Sequence, residues 1–307
     1  LLLIPLFVFP LYAQSPNSPQ DSYEQALSQY NQGEHNTAYI HLKNLLKDKP
    51  DHIPGKILMG KVLLEKDYFI DASLILTEAL DAGGDIEYVL YPLGKSLLRQ
   101  REFEKVLTLT NNRQVSLAIR VKSHRLRAQA FSGLKQTDKE LREYQLALRL
   151  APNSQESINA LARFYIKTTH INKAQALIDK SFAISENNHI TWHLQGLIYK
   201  FENNTEEAKV AFEQVLALNK EFLNAKRSLA SISIDQQDQK SALRLLDEIL
   251  EKSPNDARSK LLKANILLAN NDDALAKDIL NGLNQQISMV SDDMLAENHW
   301  IFFINGV

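Results

Sequence analysis

The chain has 307 residues, 44% of them hydrophobic, and its 35 basic side chains against 37 acidic ones leave a net charge of −2. That is enough apolar material for a large folded body, and the near balance of charge predicts no nucleic-acid partner. The absence of cysteine excludes disulfides, thiolate nucleophiles and Cys-ligated zinc, while oxidising compartments remain open to the chain.

In chain order, the first segment is LLLIPLFVFPLYAQSPNSPQ. Its apolar run, closed by Pro10 and followed by Ala13 and a Ser/Pro/Asn/Gln-rich stretch, predicts the tail of a secretory signal peptide over residues 1–13 and a linker over 14–20. The run is too short to cross a bilayer, which takes about 20 apolar residues. From residue 21 to 284 the sequence repeats itself every 34 residues in eight units. Stepping by that period from Ala26 meets Gly60, Gly94, Ala128, Ala162, Gly196, Ala230 and Ala264, all small. Stepping from Ala38 meets Ala72, Val106, Glu140, Ala174, Ala208, Ala242 and Ala276. A third column holds Leu42, Leu76, Thr110, Tyr144, Ile178, Phe212, Leu246 and Leu280, large in seven units of eight.

Small residues where helices cross let backbones approach, and the large side chain four places further on fills the space beyond. Each unit is therefore expected to be a pair of antiparallel helices. Pro50, Pro152 and Pro254 fall just past the second helix of their units, and clusters such as NQGEH and ENNTEE mark the turns. Val106, Thr110 and Arg113 break the pattern in the third unit, which predicts a short or loosely packed second helix there. After the eighth unit, residues 285–291 are expected as a linker and 292–307 as the start of a further helix. The uncapped apolar ending ENHWIFFINGV predicts that the chain is a fragment of a longer protein.

Trp192, Gly196, Tyr199, Ala208 and Phe212, with their spacing inside a 34-residue helix pair, resemble the tetratricopeptide repeat. The resemblance covers about residues 21–284 and implies an all-α solenoid, a right-handed superhelix of paired antiparallel helices that binds partners without catalysis. The opening units are also similar to exported repeat proteins encoded with exosortase and PEP-CTERM sorting systems, often beside exopolysaccharide genes. The runs "HLKNLL", "PGKILMGKVLL" and "GGDIEYVLYPLGKSLL" carry that similarity. It implies export to the periplasm or cell envelope of a Gram-negative bacterium. Many members of that group are lipoproteins, and this chain has no cysteine to lipidate, so membrane association is left open.

No catalytic motif competes with a scaffold. Leu93–Ser96 imitates the end of a phosphate-binding loop, but Val89 stands where that loop needs glycine. His189 and His193 share a helix face without a third ligand beside them, so neither a metal nor another cofactor is expected. GxSxG, HExxH and dinucleotide loops are absent.

In the resembled family the second, fifth, ninth and twelfth residues of each first helix face the concave side. Carried onto this chain, that phase selects Lys61, Lys95, Lys122, Arg125, Arg163, Lys200, Arg227 and Arg258, against Glu156 as the one acidic residue. His193 belongs to the same face. A one-signed concave surface favours anionic ligands. In the first three units the face carries Tyr23, Tyr30, Tyr88 and Tyr91 beside Leu27, Ile57, Leu64 and Leu98, suited to an extended peptide, an amphipathic helix or a sugar face. Asn159 and Arg163 resemble part of a carboxylate clamp, but Ala160, Leu194 and Ser228 occupy its other places. The expected function is an exported scaffold for protein or peptide partners. The alternatives are an anionic-polysaccharide binder and the repeat region of a larger enzyme.

Overall fold

The computed structural model of the chain describes residues 19–111 and 114–288. The expected signal segment and the expected last helix lie outside the described residues. Sixteen helices occupy the described residues, as eight consecutive antiparallel pairs. The first four pairs are α1 (Pro19–Asn31) with α2 (His35–Asp48), α3 (Ile53–Glu65) with α4 (Phe69–Asp81), α5 (Ile86–Arg99) with α6 (Phe103–Leu109), and α7 (Leu117–Gly133) with α8 (Thr137–Leu150). The next four are α9 (Gln155–Lys167) with α10 (Ile171–Ile184), α11 (His189–Phe201) with α12 (Thr205–Leu218), α13 (Leu223–Asp235) with α14 (Gln239–Lys252), and α15 (Ala257–Ala269) with α16 (Asp273–Ser288). Every second helix begins 34 residues after the one before it. At the edges of the array the expected boundaries shift: α1 starts at Pro19, and α16 keeps Gln285 to Ser288 helical where a linker was expected.

The turn inside each pair is built the same way eight times. The residue at its centre has positive φ: Gly33, Asp67, Arg101, Lys135, Thr169, Asn203, Gln237 and Asn271, again one every 34 residues. The following N–H then bonds a carbonyl five residues back, as in Glu34 to Gln29, His170 to Tyr165 and Asn204 to Tyr199. This is the Schellman closure, which satisfies carbonyls that a helix end would otherwise leave bare. Glycine supplies the left-handed residue only in the first repeat. In the rest a side chain tolerates a conformation that crowds its Cβ.

The chain divides into two compact units, with the division between Leu161 and Ala162, inside α9. In the first, Ala26, Ala38, Leu42, Leu58, Val62 and Ala72 form one apolar cluster, followed by clusters around Leu76 and Val89 and around Leu90 and Leu126. In the second, Ala162, Ala174, Ile178, Leu194 and Ile198 pack together, and Phe212, Leu229, Leu245 and Leu246 share the largest cluster. The small-residue column works as expected. A Cβ on Gly60 would sit 2.4 Å from Leu76, and one on Gly196 2.6 Å from the Phe212 ring.

The third repeat departs as the sequence predicts. Its second helix, α6, stops after 7 residues, where the other second helices have 13 to 16. Thr110, in the large-residue column, caps the helix and turns its hydroxyl back to the Val106 carbonyl at 2.6 Å. Gly94 is instead covered by Leu126 from α7 of the next repeat.

Candidate functional site

In the second unit the predicted face converges. α11 contributes His193, Leu197 and Lys200, α13 contributes Asn224, Arg227, Ser228 and Ser231, and α15 contributes Arg258 to one concavity of about 400 Å³. All but Ser228 occupy the second, fifth, ninth or twelfth places of their helices. Asn224, Leu197 and Ser231 carry no charge, so a count of charges does not find them, although the same phase selects them. Arg163 reaches the group electrostatically, since its charge acts on His193.

The polar groups are unequally satisfied. Arg227 Nη2 pairs with Asp256 Oδ1 at 3.1 Å and its Nη1 donates to Asn224 at 2.7 Å, but its Nε is buried without a partner. Asp256 is missing from the expected face because it caps α15, accepting from the Ser259 N–H with its other oxygen. Lys200 donates to Ser231 Oγ at 2.7 Å, and Arg258 is exposed. His193 departs from the expectation of an open polar residue. It is 8% exposed, its ring 5.6 Å from Phe212 and 5.2 Å from Phe222, and its Nδ1 has no partner. Burial, reinforced by Arg163 and His189, pulls its pKa down to about 4, so it is a neutral floor to the concavity.

The first unit arranges its share differently. Lys122 stands over the Tyr91 ring at 5.1 Å and presses on Lys61, whose pKa is lowered first by burial and then by that neighbouring charge. Glu156 is held below the ordinary carboxylate range by the Ser154 hydroxyl and by a backbone hydrogen bond, with Arg125 and Lys122 adding to the effect. Lys95 is exposed and is not drawn into this group. Lys61, Lys95, Lys122, Arg125, Arg163 and Arg258 make no ion pair among the described residues. Cations elsewhere do, as in Lys56 with Glu78, Lys226 with Glu248 and Lys263 with Asp247.

The tyrosines divide. Tyr88 is 62% exposed. Tyr23 and Tyr30 pack against the first apolar cluster and beside His52 and His35. Burial, helped by Glu24 and Glu65 respectively, raises both of their pKa values. Ile57 and Leu64 are buried core residues. Among the described residues, no group of His, Asp or Glu is placed to hold a metal ion, and no helix is long and apolar enough to cross a membrane.

Comparison with known proteins bears on the fold. Residues 202–266 match the tetratricopeptide repeat family model. The fold is similar to a tetratricopeptide repeat protein from Parabacteroides merdae, with a TM-score of 0.50 at 15% identity over 94% of this chain and 98% of that one. It is also similar to the APC/C hetero-tetramer Cut9–Hcn1, with a TM-score of 0.61 at 16% identity over 93% of this chain and 56% of that one. No curated protein matches the chain in sequence.

Proposed function

We propose that this chain, a tetratricopeptide repeat protein, is a non-catalytic scaffold that holds an acidic segment of a protein partner against the outward faces of its first helices. The observation that supports this most is the convergence of equivalent positions from α11, α13 and α15 on one polar concavity. Lys200 and Arg258 have no carboxylate partner there, and Arg227 Nε is a buried donor without an acceptor. A carboxylate entering the concavity would supply that acceptor in a partly desolvated place, where charge-assisted hydrogen bonds are strongest. Proteins of this architecture assemble with others, and the neighbour named for Cut9 and Hcn1 is a hetero-tetramer. We place the scaffold outside the cytoplasm, in a surface-assembly or exopolysaccharide system of the exosortase type. The apolar run over residues 1–9 and the similarity of the opening repeats support that setting.

A second reading concerns the first unit, where Lys122 over Tyr91 and the adjacent Lys61 suit a sugar ring that carries carboxylates. Two binding assays separate the readings. A labelled Asp/Glu-rich peptide is followed by fluorescence anisotropy, and alginate by affinity electrophoresis. The Arg227→Ala, Arg258→Ala variant should bind the peptide about tenfold or more weakly, with binding that fades as salt rises. Equal peptide binding by variant and wild type sinks the scaffold reading. Retardation by alginate that needs Lys61 and Lys122 supports the second.

A further inference from the structure

The early end of α6 leaves room beside α7 and α8. That room is a polar cavity of about 430 Å³, lined by Asn111, Arg120, Ser123, His124, Arg127 and Glu143, with Thr110 at the helix end; none of these residues belongs to the face described above. Glu143 is its anchor. It is 8% exposed and stands where five other repeats carry Ile75, Leu109, Leu177, Leu245 and Ile279. Both of its oxygens are occupied: Oε2 accepts from His124 Nδ1 at 2.6 Å and Oε1 from Arg127 Nε at 2.9 Å. Burial alone would raise its pKa, but these two hydrogen bonds hold it below the ordinary range. An ionised carboxylate only accepts, so His124 carries its proton on Nδ1.

A buried ion pair is generally no more stabilising than the apolar packing it replaces. The seam therefore gains little in stability from exchanging aliphatic side chains for this cluster. What it gains is a pair of fixed side chains, His124 and Arg127, beside Arg120, which is exposed and makes no ion pair among the described residues. Ser123 is turned away, its hydroxyl donating to the Ile119 carbonyl at 2.9 Å. Glu140, also buried on α8, does not line the cavity.

We propose that this cavity is a binding site for a small oxyanion, a carboxylate- or phosphate-bearing molecule held by Arg120, Arg127 and His124, with Glu143 positioning the last two. Planar guanidinium groups suit both oxyanions. The site owes nothing to the partner-binding face and stands or falls independently of it.

Calorimetric titration of the whole chain with inorganic phosphate and with citrate tests it. One or both should bind with Kd on the order of 1 mM or tighter. Arg120→Gln should weaken binding about tenfold without moving the unliganded melting temperature, because Arg120 is exposed and holds no ion pair among the described residues. Arg127→Lys, which keeps the charge and loses the fork, should also weaken it. Binding should persist unchanged in the Arg227→Ala, Arg258→Ala background, which removes two cations from the concavity of the second unit. Preference for citrate identifies a carboxylate ligand, and preference for phosphate a phosphorylated one. No binding by either probe, equal binding by Arg120→Gln, or loss of binding in the Arg227→Ala, Arg258→Ala background overturns the proposal.

Discussion

The seam after α6 and the seam after α12 occupy the same register and are built from opposite chemistry. After α12, Phe212 meets Leu229 and Leu245 in a continuous apolar cluster. After α6, the equivalent places hold Thr110, Arg127 and Glu143, and a polar cavity opens instead. The repeat therefore fixes where helices lie more strictly than what they bury. Its start points survive a seam in which an aromatic becomes a threonine and a leucine becomes a buried carboxylate. The cavity follows from lost helical length, because about two missing turns' worth of side chains no longer fill the space.

The largest test of that contrast is truncation at the shared position. Phe212→Ala should cost about 3–5 kcal/mol, as for other fully buried aromatics. Thr110→Ala should cost about 1 kcal/mol, the worth of one hydroxyl hydrogen bond. Urea unfolding of the two variants measures both, and similar losses would mean that the seams are not different in kind.

Acid should separate the seams next. His193 accepts a proton more readily in the unfolded chain, near pH 6.5, than in the folded one, near about 4. Stability should thus fall by about 2 kcal/mol between pH 7 and pH 5. His193→Phe should flatten that slope. Glu143 behaves otherwise: with its folded pKa depressed, its contribution is intact above the ordinary carboxylate pKa near 4.5 and is lost only as pH falls further. Melting temperatures followed from pH 7 to pH 3 resolve the two windows, and a His193→Phe variant as acid-sensitive as wild type contradicts the first.

The smallest effect concerns the turns common to both seams. Thr169 is β-branched at φ +59°, so Thr169→Gly should stabilise its pair by about 1 kcal/mol. Thermal melts check the sign, and a loss of stability would show that the threonine side chain matters more than its strain.

Much of this was legible before any coordinates. The period located all eight pairs, the small-residue column located the crossings, and the break at Val106 and Thr110 located the short helix. The phase also selected His193, Lys200, Arg227 and Arg258, four of the residues that line the second unit's concavity. What it could not supply was depth. A period gives the direction in which a side chain leaves the helix, whereas burial depends on the neighbour that covers it. His193 is covered by Phe222 from the next pair, and Tyr23 and Tyr30 lie against residues of the helices beside them. Charge counting missed Asp256 because a helix cap falls outside the phase. It also missed the Glu143 cluster, whose members sit at places normally reserved for packing.

The eight identical turns have one further consequence. Each closes its own helix end with its own backbone, and none of them borrows a hydrogen bond from another repeat to do so. The turn of a 34-residue block is thus self-contained: an array of this kind can lengthen or shorten without rebuilding it. Altered chemistry such as the polar cavity, which the third and fourth blocks build together, can then sit among plain repeats without disturbing their turns.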